Sequence, residues 1–168
     1  MGTTNSFRKV VEEPVSLKKK HQELLKLIDF SDTFSTTNHS NSIKEITQLI
    51  FNYSPKWIDT LFSIRNKLAA IVGLKNSVPE DYNNDFKIGG YVGFFKIYDL
   101  EGAECILGLN DSHLNFRVII ARQTLEQYNV KVTTLVEYNN LKGKIYMTII
   151  KPFHRIVVKR MVANAFSS

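Results

Sequence analysis

Period-two patterning across the second half of the chain constrains the fold more than any other feature. Strand-like patterning marks Tyr91–Tyr98, Ala103–Leu109 (an apolar run), Ser112–Arg122, Val130–Tyr138 and Lys144–Ile150, and a strand sends successive side chains to opposite faces. Turn residues join them: Asp99 to Gly102, Asn110-Asp111, and Asn139 to Gly143. Connections this short leave consecutive strands antiparallel, since a parallel pair needs a long crossover. A meander of this kind has one face to bury and needs something to bury it against.

Helical patterns on either side supply the cover. Ser42 with Glu45 three residues on predicts a helix start of the capping-box type, continued by Ile43, Ile46, Ile50 and Tyr53. Ser54-Pro55 predicts a second start, with Trp57, Leu61, Ile64, Leu68 and Ile71 as its stripe and Gly73 as its end. Pro152 is expected to begin a final helix running to Phe166. Phe153, Ile156, Val157, Val158, Met161, Val162 and Ala165 cover more than half of its circumference, which requires a broad apolar partner. Ahead of these lie a short amphipathic helix expected over residues 17–28 and a strand expected over Phe30 to Thr37. The expectation is an α+β domain over residues 14–168, preceded by a loose segment, 1–13. In it a curved antiparallel sheet of about six or seven strands wraps a long C-terminal helix, with two short helices after the first strand. A cystatin-like cone, lacking the gripping helix, is the alternative architecture.

Composition narrows the partners. At 43% hydrophobic and 11% aromatic residues, the chain can fill a core. No apolar run approaches the ~20 residues of a membrane span, so stable insertion is not expected. The N-terminus has no apolar export region, and a cytoplasmic location is expected. Cys105, alone and inside an apolar run, reads as a buried small hydrophobe. Residues 142–168 carry six Lys/Arg and no acid, as large an excess as the net +6 of the whole chain. These charges are spaced out and have no aromatic array beside them, so they read as a solvated helix face and not as a nucleic-acid surface. A monomer or weak homodimer is expected.

Residues 107–120, LGLNDSHLNFRVII, hold the densest group of functional side chains. Asp111, His113, Asn115 and Arg117 fall on one face of the strand; Leu114, Phe116, Val118 and Ile120 fall on the other. His113 is the candidate acid or base. Arg65 and Arg117 are candidate clamps for a carboxylate or phosphate, or members of ion pairs with Asp32 or Asp111. His154 falls on the helix face of Val158, Met161 and Ala165, where it can border a cavity or make a structural hydrogen bond. The glycines at 89, 90 and 93 lack the spacing and lysine of a phosphate loop. The four histidines lack metal-ligand spacing, and no nucleophile elbow is present. No cofactor and no metal are expected.

Several stretches together resemble one family. They are Asp29-Phe30-Ser31-Asp32-Thr33-Phe34, Arg65, Gly73-Leu74, Gly108, and Asp111 through Arg117. Asn139 with Gly143 and Tyr146, and Pro152-Phe153-His154-Arg155, complete the set. From about Pro14 onward the chain resembles an uncharacterised bacterial family of the START-like superfamily, whose polyketide cyclase-like members share a helix-grip fold. The resemblance implies a cavity between sheet and final helix that takes a small apolar or amphipathic molecule. Arg65, Asp111, His113, Arg117, Tyr146 and His154 are the expected ligand-binding residues. The alternatives are a cofactor-free cyclase or isomerase using His113 and Arg117, and a purely structural or interaction protein. Enzymatic activity is not the leading expectation.

Overall fold

A computed structural model describes residues 9–51, 63, 66, 70 and 79–167. Trp57, Arg65, Gly73 and Leu74, and with them most of the expected second helix, lie outside the described residues.

Seven strands form one open sheet: β1 (Val11–Glu13), β2 (Phe30–Thr36), β3 (Tyr91–Val92), β4 (Phe95–Glu101), β5 (Glu104–Asn110), β6 (Leu114–Arg122) and β7 (Val130–Tyr138). Their order is β1-β2-β7-β6-β5-β4-β3, every pair antiparallel. Three helices are described: α1 (Lys19–Gln22), α2 (Ile43–Phe51) and α3 (Leu141–Asn164). The class is α+β, consistent with a helix grip. Residues 152–164 belong to a helix packed on β2 and β7, not to the strand that a different architecture would require.

The capping box forms as expected. The Ser42 hydroxyl accepts from the Glu45 N–H at 3.3 Å, and the Glu45 carboxylate accepts from the Ser42 N–H at 2.8 Å. Ile46 and Ile50 of α2 then meet Phe34, Cys105, Leu107, Val118, Ile120 and Val132 from the inner face of the sheet, with Val162 and Ala165 from the end of the chain. Cys105 is fully buried in this core, and burial pushes its thiol pKa up to about 11.

Three expectations are corrected. Lys144–Ile150 is not a strand but the first turns of α3, and Pro152 lies inside that helix. The helix begins because Asn140 takes an extended backbone and its side-chain oxygen accepts the Gly143 N–H at 3.2 Å. Tyr146, Met147 and Ile150, at helical spacing, then close on Leu114, Val136 and Phe116. Proline here removes the bond to the Thr148 carbonyl, which lies on the exposed face where water can satisfy it.

The second correction concerns residues 17–28, which hold only one helical turn. The chain crosses the outer face of the sheet, with the Leu27 N–H donating to the Glu137 carboxylate at 3.1 Å. The apolar side expected of a helix is kept: Leu17, Leu24, Leu25 and Ile28 cover Ile106, Ile119, Leu135 and Tyr98. Both faces of the sheet are therefore covered. The third lies in the stretch expected to be loose, where Val11–Glu13 pairs with Thr33–Ser35 as an edge strand and Val10 is buried in the core.

Candidate functional site

Alternation along β2 places Phe30, Asp32 and Phe34 on the inner face, under α3. Asp32 is 5% exposed and pairs across the ladder with Thr134, which is also buried. His154 reaches down from α3, its Nε2 standing 3.3 Å from Asp32 Oδ2. The contact is close enough for an ion pair but not directed as a hydrogen bond. Neither Asp32 oxygen, nor His154 Nε2, has a hydrogen-bond partner among the described residues. Aromatic rings frame the pair: Phe30 meets the His154 ring edge-on at 5.7 Å, with the Lys151 ammonium 5.1 Å from the centre of its ring. The Arg155 guanidinium lies over Phe34 and is ion-paired with Glu12. A buried carboxylate without donors is unusual, because desolvating it without hydrogen bonds is costly.

The residues of the 107–120 stretch are placed differently. Arg117 is buried against the outer face, with its guanidinium carbon over the Tyr98 ring, 3.8 Å from the ring centre. Its Nη1 donates to Asn110 Oδ1 and to the Phe116 carbonyl, both at 2.8 Å. No carboxylate lies within ion-pairing distance of it among the described residues, and burial lowers its pKa. Gly108 opposite makes room: a Cβ there would stand 2.8 Å from Arg117 Cδ. Asp111 accepts from the Ser112 hydroxyl at 3.0 Å. His113 Nδ1 lies within hydrogen-bond distance of the Asn140 amide, and the His113 carbonyl accepts the Asn139 N–H at 2.9 Å. Asp111, His113 and Arg117 thus have separate partners. The His113 ring and the Asp111 carbonyl, which accepts from Asn139 Nδ2 at 2.8 Å, hold the β5–β6 turn against the segment that starts α3, while Arg117 braces the outer layer. Tyr146 is buried on the inner side beside Leu114 and Val136.

A cleft of about 390 Å³ opens on the outer face, its charged lining including Lys18, Lys20, His21, Glu104, Arg122 and Lys131. The His21–Glu104 centre of this cleft is internally satisfied, whereas the buried Arg122 Nε has no hydrogen-bond partner among the described residues. The Lys18 N–H donates to His21 Nδ1 at 3.3 Å, so the ring proton sits on Nε2 and is given to Glu104 at 3.0 Å. Lys20 completes the Glu104 carboxylate at 2.7 Å. With both ring nitrogens engaged, His21 is a brace between α1 and β5 and not a free base. No group of three or more His, Cys, Asp or Glu side chains placed to hold a metal occurs among the described residues.

Sequence reasoning found His154 and Asp32 but not their pairing. The signal was an acid in the inward register of β2, between two phenylalanines. The buried Asn38–Asn129 exchange, with the Asn38 N–H donating to Asn129 Oδ1 and Asn129 Nδ2 to the Asn38 carbonyl, left no comparable trace.

The family model described as "Protein of unknown function (DUF2867)" matches residues 24–161. The chain belongs to this family. The DUF2867 match runs from the segment on the outer face to the last turns of α3. It contains Asp32, Asp111, Arg117 and His154, and leaves out β1, α1 and His21. No curated protein and no solved structure matches the chain.

Proposed function

We propose that this DUF2867 protein is a START-like helix-grip domain of the bacterial cytoplasm that binds a small apolar or amphipathic molecule between its sheet and α3. The single observation that carries the reading is the Asp32–His154 pair: a buried carboxylate with no donor to it, flanked by Phe30 and Phe34 on the helix side of the sheet. Binding sites for such molecules are mostly apolar with a few convergent polar groups. A hydroxyl or amine on the ligand would give Asp32 the donor it lacks, a charged hydrogen bond of about 1.5–3 kcal/mol. A second reading, a cofactor-free cyclase or isomerase, draws on the same place. Asp32 and His154 stand as a carboxylate–imidazole pair, whereas His113 and Arg117 have separate partners.

Native mass spectrometry of the purified chain tests the binding reading. The expected result is a small-molecule adduct that Asp32→Asn, which keeps the side-chain shape, removes while the thermal midpoint changes little. A bare wild-type mass, together with no uptake of an anilinonaphthalene sulfonate probe, would leave the pair as a tie between β2 and α3 and sink the proposal.

A further inference from the structure

Helix α3 buries one side and leaves the other with an unusual character. Leu141, Ile145, Ile149, Phe153 and Ile156 are all exposed, Leu141 by 70% and Ile156 by 53%. At 100° per residue they fall within an arc of about 120°, forming a stripe about 22 Å long. Scattered exposed apolar residues are ordinary, but a continuous stripe marks a surface that meets something. Cations border it, all exposed: Lys142 and Arg160 at one edge, Lys144, Lys151 and Lys159 towards the other. No acid occurs anywhere in residues 142–168.

We propose that this face of α3 docks on an anionic lipid surface, lying flat at the headgroup level. Apolar side chains between flanking lysines are the pattern of an interfacial helix, which adds burial of the stripe to attraction by acidic headgroups. Charge decides among the occupants. A second copy of the same face would set lysines against lysines. Exposed cations on both sides of the stripe, with no acid among residues 142–168, suit a diffuse negative surface such as a layer of headgroup phosphates. The helix is not long and apolar enough to cross a membrane, so the association is peripheral.

Vesicle flotation with the full chain tests this. Vesicles of phosphatidylcholine mixed with phosphatidylglycerol should carry the protein at low salt and release it at high salt, and vesicles of phosphatidylcholine alone should not carry it. Lys142→Glu with Lys144→Glu should weaken binding roughly thirtyfold or more, from about 1 kcal/mol per lysine near such a surface. Both positions lie in the first turn, where an acid suits the helix dipole, so folding should be kept. Ile149→Ser with Ile156→Ser should weaken binding without changing its salt dependence. Absence of binding to the anionic vesicles, or equal binding to both vesicle types, would overturn the proposal. So would a dimer that the two serine substitutions dissolve, or an acidic polypeptide partner bound through the stripe while vesicles stay free.

Discussion

Gly143→Ala sets helix propensity against packing, and the structure says which wins. Gly143 sits in the first turn of α3, beside the turn that leads into β6. A Cβ there would stand 1.9 Å from the His113 carbonyl oxygen and 2.8 Å from its carbon. Both are backbone atoms, and favourable contact needs about 3.5 Å, so the helix start must retreat by roughly 1.5 Å. That retreat stretches the Asn139 N–H to His113 carbonyl bond, now 2.9 Å, and the Asn140 amide to Ser112 carbonyl bond, now 3.0 Å. Each contributes about 1 kcal/mol, and overpacking adds about 1–3 kcal/mol. Against this, alanine gains at most about 1 kcal/mol of helix propensity. The net is a loss of about 2–4 kcal/mol, or roughly 5–15 °C in thermal midpoint for a domain of this size. Calorimetry or urea unfolding measures it, with the exposed neighbour Lys144→Ala as a control expected to stay within about 0.5 kcal/mol. A Gly143→Ala midpoint equal to wild type, or above it, would refute the close-approach argument.

Three further outcomes are expected. Burial alone would raise the Glu104 pKa, but hydrogen bonds from Lys20 and His21 more than offset this and hold it below its ordinary 4.5. A depressed carboxylate contributes stability that is complete above its unfolded pKa and is lost as pH falls through the folded value. The thermal midpoint should therefore drop in acid below about pH 4.5, and Glu104→Gln should flatten that drop while lowering the neutral midpoint. Cys105, with its thiol raised to about 11, should resist Ellman's reagent at neutral pH until denaturant is added; prompt reaction of the native protein would contradict its burial. Arg117→Ala should lose about 2–3 kcal/mol through the Tyr98 stack and the hydrogen bonds to Asn110 and Phe116. Lysine in its place should recover little, because an ammonium cannot lie flat on the ring; a fully stable Arg117→Lys would show the stack to be incidental.

The meander was legible because β6 and β7 carry stretches of alternation, β5 is a short apolar run of strand length, and turn residues bound them. The start of α3 was not. Lys144-Ile145-Tyr146-Met147-Thr148-Ile149-Ile150 satisfies either period over so short a run. What decides it is Asn140 capping Gly143 and the packing of Tyr146 on Leu114, a tertiary fact. The apolar residues of 17–28 were identified correctly as a buried side, but a segment held by a distant acid, Glu137, need not take the helix its spacing allows. In the candidate site, alternation marked His113 and Arg117 as one face yet was silent on which face met α3. The answer lies in the pairing registers, Asp32 opposite Thr134 and Thr134 opposite Val118, which put the even positions of β6 under α3 and Arg117 on the other face. His21 gave no sign, because its partner Glu104 lies 83 residues away.

The pairing of β2 with β7 also governs how the chain reaches this state. Thr33 and Thr133 join hydroxyls at 2.8 Å across a separation of 100 residues, whereas β4 through β7 are linked by short connections. Closing so long a loop spends chain entropy before any contact repays it. The meander is therefore expected to assemble first, with β2, and β1 on its edge, adding afterwards. During synthesis, residues 11–36 wait for β7 to emerge, with Phe34 and Val10 uncovered in the interval. Thr33→Ala should consequently quicken unfolding far more than it slows refolding, and a stopped-flow chevron would show that asymmetry.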